Sequence, residues 1–510
     1  RGRLRLAQVH LATPPSPTTS CLGMVQGVLI EEGNIVDLNP ATGEVVARVR
    51  VASAEQVDAA VQAARRAQPR WAAQPLRQRA SEVAAAARQL GAERAELAKL
   101  ITTEMGKVLK EAEEEVDIAA DKDEFCELVA NANEPQVHGS SIIIRQPHGV
   151  VAICAPWNFP VDEILLLAIP ALIAGNGVVI KPSEVAPLSG ERAVLALARG
   201  LSDHPGLVGL VQGDGEVGAQ LVSHPGVDMI GFTGSTATGT KILTAAAKTL
   251  KPVVLECGGK DPMIVFADAD LDRAAADAVA FSLANAGQVC CAVERVYVAK
   301  SVAREFESLV LKHASSYQAG NGLSHKASIG PLASAMQRDI VHSHVTAAIA
   351  SGARCLLGGQ MPSKAQRGNF YPPTVLVDVP HSAKQITQEE TFGPVVAIST
   401  FDGSESEAIR LANDSTYGLT ASVYGGDIAR ASRVASQISA GQVGVNTNPF
   451  SGSANAMCPF VGHKRSGYGC HSGADGWRQF SAPKSLVYDP ERPPPGSHAL
   501  PPIARPSSKL

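Results

Sequence analysis

The chemistry of this chain is sought first at a cysteine that follows a glycine-containing turn. Asn285-Ala286-Gly287-Gln288-Val289-Cys290-Cys291-Ala292 lies between a helix-like run and a strand-like run, which makes Cys290 a candidate nucleophile. A free cysteine is more often a small buried hydrophobe, and only its thiolate attacks, so the residue needs a partner that helps it ionise. Leu255-Glu256-Cys257-Gly258-Gly259-Lys260 sets the Glu256 carboxylate before a glycine pair that lets a side chain swing. Glu256 is therefore either a strand-end carboxylate or a general base. In Ala155-Pro156-Trp157-Asn158-Phe159-Pro160, Asn158 precedes a proline-bearing bend, an ordinary place for a turn residue.

Glycine-rich turns offer two places for a phosphate. Gly213-x-Gly215-x-x-Gly218 follows a strand, Leu207 to Gln212, but it is not in the first strand-turn-helix unit. The acid that such a fingerprint needs about twenty residues on is replaced by neutral residues near Thr236 to Gly239, so we read a structural turn. In Phe232-Thr233-Gly234-Ser235-Thr236-Ala237-Thr238-Gly239 a strand ends at small residues, which would let a pyrophosphate approach the next helix N-terminus. Thr240 separates Gly239 from Lys241, so this is no P-loop. His342 and His344 fall on different helix faces, and no metal site is expected.

The elements that must position these residues follow from periodicity. Alanine-rich stretches Ser53 to Ala67, Leu76 to Leu90, Glu93 to Glu104 and Val108 to Ala130 repeat at helical spacing. From Gly149 strands and helices alternate: 150–155, helix 162–174, 177–181, helix 190–200, 207–212, helix 216–223 and 227–232. That alternation predicts a doubly wound parallel sheet. Val253 to Glu256 leads out of it, and a second α/β unit follows, with strands near 293–298, 394–399, 421–424 and 441–445. Ser140 to Gln146 reads as half of a hairpin.

With these motifs in this order, the chain from about Val36 to Tyr488 resembles the aldehyde dehydrogenase superfamily. The resemblance implies an α/β fold: a doubly wound parallel-sheet cofactor domain, an α/β catalytic domain and a small β oligomerisation arm. In numbers, residues 33–125 and 148–257 form the NAD-binding domain, 258–447 the catalytic domain, and 126–147 with 478–490 the arm. Residues 1–32 are a disordered leader and 491–510 a disordered tail. The implied reaction is oxidation of an aldehyde to its acid. Cys290 attacks, the Asn158 amide and the Cys290 N–H hold the oxyanion, hydride leaves to give a thioester, and Glu256 activates the hydrolytic water.

Cofactor contacts implied by the resemblance are Pro156, Trp157, Lys181, Ser183, Glu184, Gly234, Ser235, Gly239, Glu390 and Phe392. Lys181 and Glu184 would hold the adenosine ribose, Gly234 and Ser235 the pyrophosphate side, Glu390 the nicotinamide ribose, and Phe392 the neighbourhood of the ring. A carboxylate at Glu184 would repel a 2′-phosphate, so the expected cofactor is NAD. Two alternatives are a CoA-acylating relative, whose family members generally lack the glutamate, and a catalytically silent binding protein of the same fold. No metal is implied.

The substrate pocket should include Phe159, Asp162, Glu163 and Leu166. Leu166 stands where relatives that oxidise succinate semialdehyde carry an arginine. Asp162 and Glu163 either favour a cationic aminoaldehyde or cap a helix, and capping is the expectation. The closing motif Pro459 to Gly469 carries Val461 where glycine is usual, and Cys470-His471 replaces a common arginine-acid pair. Lys484 to Tyr488 is a strand that family members pair across subunits, which implies a homodimer or homotetramer.

Composition excludes other partners. Hydrophobic content of 45%, charge of 18% and a formal net charge of −4 describe an ordinary globular chain with no basic field for nucleic acid or an anionic membrane. The longest apolar run, Ile164 to Ala174, is too short to span a bilayer. The 9 cysteines show no paired framework. Residues 1–30 carry three arginines and no acid, as a transit peptide does, whereas Ser508-Lys509-Leu510 matches a peroxisomal address. A peroxisome or related microbody is expected, with plastid, mitochondrion or cytosol as alternatives.

Overall fold

A computed structural model of the chain describes residues 23–25, 28–363, 367–449 and 457–489. The expected parallel core is a six-stranded sheet in the order Gly467–Tyr468, Val253–Cys257, Met229–Gly234, Val150–Cys154, Gly177–Lys181, Val208–Leu210. All neighbours in it are parallel except Gly467–Tyr468, which runs against Val253–Cys257. Val150–Cys154, Gly177–Lys181 and Val253–Cys257 are buried along their whole length, which suits strands covered on both faces. The chain winds outward from 150–154 to 208–210 and then returns to the other side of 150–154. This reversal opens a crevice at the carboxyl ends of 150–154 and 229–234, the place where such sheets take ligands.

Asp162–Ile173 lies against this sheet with nine of its residues buried, Ile164, Leu165 and the run Leu167–Ile173. At about 1.5–3 kcal/mol for each fully buried aliphatic side chain, that helix anchors the wall from which Phe159, Asp162 and Glu163 project. The expected single helix over 108–130 is two, Leu109–Ala120 and Asp123–Ala132. The break falls at Asp121 (φ −95°, ψ 77°), and Lys122 beyond it reaches across to Asp162 at 2.6 Å.

The second sheet has seven strands in the order Arg354–Leu357, Thr374–Val377, Val395–Phe401, Val293–Ala299, Asp261–Val265, Thr420–Tyr424, Gln442–Val445, parallel apart from the first pair. Val253–Cys257 does not merely lead out of the first sheet but is one of its strands. The chain then enters the second sheet through Asp261–Val265. A three-stranded arm, in the order Ser481–Val487, Ser141–Pro147, Gln136–His138, contains the expected hairpin, closed between His138 and Ser141.

One boundary differs from expectation. Val28–Glu31 pairs antiparallel with Asn34–Leu38 in a four-stranded sheet with Gly23–Val25 and Val45–Arg50, so ordered structure begins inside the segment 1–32 read as a leader. The cause is the apolar run Val28-Leu29-Ile30 followed by Glu32-Gly33, both with positive φ (50° and 73°), as a tight hairpin turn requires. Most of the leader and the tail 491–510 lie outside the described residues. No helix among the described residues is long and apolar enough to cross a membrane.

Candidate active site

The turn before Cys290 is locally strained and globally held. Asn285 (φ 48°), Ala286 (φ 57°) and Gly287 (φ 74°) are three successive left-handed residues after helix Leu271–Leu283. Non-glycine residues adopt that region at a cost of about 1–3 kcal/mol each and keep it only where surroundings impose it. Here the Asn285 N–H donates to Glu111 Oε1 at 2.9 Å, and Asn285 Nδ2 donates to the Asn158 and Gln288 carbonyls at 3.1 and 3.2 Å. Asn158 Nδ2 donates to the same Gln288 carbonyl at 3.1 Å. Gln288 itself is fixed by Asn285 O and by the Ala333 N–H. The Asn158 amide is thereby locked two residues from Cys290, with one of its two N–H groups committed and the other left to donate.

Glu256 is the penultimate residue of the strand Val253–Cys257, opposite Thr233 on the neighbouring strand. It is buried, and neither of its oxygens has a hydrogen bond of normal geometry among the described residues. Burial raises its pKa well above the usual carboxylate range, and the charge of Glu163 adds to this. The Cys290 thiol and the Thr233 hydroxyl stand close enough to offset part of the rise. Cys290 is half-buried, and its own pKa is raised, first by its hydrogen bond with Cys291, then by desolvation and the Glu256 charge. The resting sulfur is a thiol, and it lies beside a carboxylate that holds protons tightly. A thiol in this setting needs a base beside it to ionise, and Glu256 is the carboxyl within its reach.

The loop Glu389–Pro394 closes over this pair. Lys260, buried between the sheets, pairs with Glu294 and donates to Thr391 Oγ1 at 3.0 Å, while Glu294 accepts the Thr391 and Phe392 N–H groups at 2.8 and 2.9 Å. Glu390 accepts the Gly259 N–H at 3.1 Å, and burial with the Glu294 charge raises its pKa to about 8. Phe392 (φ 52°) meets Trp157 edge-to-face at 5.5 Å, just beyond Pro156 at the end of strand Val150–Cys154. Gly287 packs against this loop so closely that an added Cβ would lie 2.1 Å from the Gly393 carbonyl oxygen.

Around the crevice, Lys181 Nζ donates to Gly213 O at 2.6 Å, Pro182 O at 2.9 Å and Glu184 Oε2 at 3.1 Å. The Gly213 turn thus supports Lys181 through its carbonyl. Ser183 Oγ accepts the Val185 N–H at 3.2 Å. Ser235, next to Gly234, caps helix Thr236–Ala247 and accepts from Thr238 N. Gly239 lets that helix approach the Val253–Cys257 strand, since a Cβ there would be 2.8 Å from Cys257 Sγ. A cleft of about 1040 Å³ is lined by Glu184, Val185, Ser334, His344 and Glu390, so two of the residues expected to contact the cofactor, Glu184 and Glu390, face it.

A second cavity of about 440 Å³ contains Cys290. Phe159, Asp162, Glu163 and Leu166 line it, as expected, together with Glu111, Glu114, Glu115, Lys107 and His471. Asp162 and Glu163 do not cap their helix: the position before it is Val161 and no side chain caps it. Asp162 forms an ion pair with Lys122 at 2.6 Å, and Glu163 Oε2 accepts from Thr233 Oγ1 at 3.1 Å. Burial, then the Asp162 charge, raises the Glu163 pKa to about 7. Lys107 is committed to Glu115 at 2.6 Å and lies 3.7 Å over the Phe159 ring.

Residues 30–486 match the model of the aldehyde dehydrogenase family. The chain belongs to this family. It is 38% identical over 466 residues to a peroxisomal aminoaldehyde dehydrogenase of Malus domestica, covering 88% of this chain and 91% of the relative. Identity is also 38% over 450 residues with the NADP(+) succinate-semialdehyde dehydrogenase of Escherichia coli, 86% and 91% of the two chains. A solved betaine aldehyde dehydrogenase from Staphylococcus aureus, in complex with NAD+ and a BME-modified cysteine, superposes with a TM-score of 0.83 at 34% identity. It covers 89% of this chain and 94% of that one.

In this aldehyde dehydrogenase Glu256 lies beside Cys290 and within the field of Glu390, Asn158 is tied to Gln288 two residues before Cys290, and Phe392 meets Trp157. Motif reading passed over the residues that hold them there: Asn285, Gln288, Glu111, Lys260, Glu294 and Thr233. Gln288 and Asn285 sit inside the quoted cysteine motif, and a buried amide pair in a glycine turn was the available signal. Glu111 and Glu294 had none, because their partners lie 174 and 97 residues away.

Proposed function

We propose that this NAD(P)-dependent aldehyde oxidoreductase converts a cationic aminoaldehyde to its carboxylic acid with NAD. One observation carries the substrate class: the cavity containing Cys290 is lined by five carboxyl side chains, Glu111, Glu114, Glu115, Asp162 and Glu163, and with Glu115 paired to Lys107 and Asp162 to Lys122, Glu111, Glu114 and Glu163 remain with no further lysine in the lining. Such a wall attracts an ammonium group and repels a carboxylate. Leu166, where an arginine would receive a succinate-type acid, points the same way. The Malus domestica relative is named for aminoaldehydes.

In the cycle, Glu256 takes the Cys290 proton as sulfur adds to the aldehyde carbon. The second Asn158 N–H and the Cys290 N–H receive the oxyanion. A bound nicotinamide supplies the acceptor for the hydride that leaves the thiohemiacetal carbon, and the carbon is left as a Cys290 thioester. Glu256, having passed its proton to solvent, then takes a proton from water as the hydroxyl oxygen attacks the thioester, and the thiol is regenerated with release of the acid. On the cofactor side, Glu184 with Lys181 would receive the adenosine ribose, Ser235 and its helix N-terminus the pyrophosphate, and Glu390 the nicotinamide ribose. The carboxylate of Glu184 is the reason for NAD over NADP.

A dimer or tetramer built through the arm, and a peroxisomal address, complete the proposal. The Malus domestica relative is named peroxisomal, which supports the address. The direct test follows NADH formation with amino, neutral aliphatic and acidic aldehydes of equal length, with NAD or NADP and with or without CoA. The expected result is highest kcat/KM for the aminoaldehyde with NAD, and free acid as product whether or not CoA is present. Preference for the acidic aldehyde, or an acyl-CoA product, would overturn the corresponding part.

A further inference from the structure

His471 is buried at 3% exposure, and it lines the cavity that holds Cys290. Its Nδ1 is 2.9 Å from Ser472 Oγ, and its ring stacks on Phe460 with centroids 5.2 Å apart and planes at 28°. Nε2 has no hydrogen-bond partner among the described residues. An imidazole fixed on one edge and stacked on one face, with its other nitrogen buried and unpartnered among the described residues at the wall of a cavity, has one hydrogen-bonding position left to fill.

The protonation state decides what it can meet. Desolvation pulls its pKa down to about 4, although the nearby Asp162 charge works in the opposite direction, so the ring is neutral at physiological pH. A neutral imidazole carries one N–H. With that hydrogen on Nδ1 and donated to Ser472 Oγ, Nε2 offers a lone pair. The surrounding acids Asp162, Glu163 and Glu114 add negative potential to the same space.

We propose that His471 Nε2 is a specificity-determining acceptor, receiving a hydrogen bond from a primary ammonium group carried by the aldehyde substrate. This deepens the aminoaldehyde reading and rests on it. The carboxylates attract any cation, methylated or not, whereas a lone pair rewards only a cation that has an N–H to give. A quaternary trimethylammonium group has the charge and lacks the donor. His471 thus separates primary amines from quaternary ones within the cationic class.

The experiment compares wild type, His471→Leu and His471→Gln with three aldehydes of equal chain length. One ends in a primary amine, one in a trimethylammonium group and one in a methyl group, and each is read as kcat/KM from NADH formation. Loss of a hydrogen bond to a charged partner is worth about tenfold or more in affinity. The expected result is that His471→Leu lowers the amine-to-trimethylammonium ratio about tenfold, chiefly through KM. His471→Gln, which keeps an acceptor near the Nε2 position, should restore most of that ratio. Equal losses on all three substrates in both variants, or an unchanged ratio in His471→Leu, would overturn the proposal while leaving the cationic substrate class standing. A wild-type enzyme that ignores the amino group altogether overturns the substrate reading itself, and this proposal with it. If His471→Leu fails to fold, His471→Phe, which keeps a stacking ring and lacks the acceptor, takes its place: the same fall in the ratio is expected, and an unchanged ratio overturns the proposal.

Discussion

Glu256 and Cys290 share a buried environment that penalises charge on either one. Both are shifted toward their protonated forms, Glu256 by burial and Glu163, Cys290 by Cys291 and burial. A carboxyl with a raised pKa is a stronger base once deprotonated, but fewer molecules carry it deprotonated at neutral pH. The sign is then fixed: kcat rises with pH as Glu256 loses its proton, over a range above that of an ordinary glutamate. Glu256→Gln removes the base that serves both the attack of Cys290 and the hydrolysis, so steady-state turnover falls about 10²- to 10⁴-fold and rapid mixing shows the first equivalent of NADH per active site forming slowly as well. Its residual rate should lose the rise with pH that belongs to Glu256. Full turnover in this variant would remove Glu256 from hydrolysis, and a second equivalent of NADH in Cys290→Ala would remove the thioester altogether.

At the scale of the element, the left-handed turn 285–287 does the positioning. Gly287 is held between a φ of 74° and a Gly393 carbonyl that leaves no room for a methyl group. Gly287→Ala must therefore push apart the cysteine turn and the 389–394 loop, and a misplacement of about 1 Å at the reacting atoms costs on the order of 10²-fold in rate. The expected outcome is a loss of that size in kcat with a lowered Tm, and a variant of wild-type activity would show that the loop contact is dispensable. The order of the motifs and the alternating strands were legible because each is local: apolar runs of the right length and glycines where the backbone turns. Asp261–Val265 was not, because Pro262 near its start reads as a breaker, and it is accommodated only by a register shift between Asp261 and Pro262. Nor could the roles of Asp162 and Glu163 be read, since acids in a first helical turn look alike whether they cap, pair with a lysine or face a cavity. Only the break at Asp121, which carries Lys122 to Asp162, separates those cases.

The whole molecule brings two sheets together end to end. The first presents the carboxyl ends of its parallel strands, with Trp157, Lys181, Ser235 and Glu256 just at or past them. The second presents the beginnings of its own, with Lys260, Cys290, Glu294 and Phe392 just before or within them. The catalytic groups therefore belong to neither sheet alone, and anything that holds the two in register supports the chemistry. The arm is tied to the first sheet through Asn176, whose amide donates to Phe480 O at 2.8 Å, and through His148, which meets Gln479 O at 2.9 Å. Its outer strand, Ser481–Val487, pairs on one side with Ser141–Pro147, and among the described residues its other side carries no strand. Gln442–Val445 likewise ends the second sheet. Two such edges are templates for strand pairing between copies, and Val487, 77% exposed, is an apolar residue at one of them. The expectation is a dimer or tetramer by sedimentation at micromolar concentration. Val487→Asp, which sets a charge on that edge, should shift the distribution toward smaller species and lower Tm as the concentration falls. A monomeric wild type, or a variant whose mass and concentration dependence match the wild type, would remove this edge from the assembly.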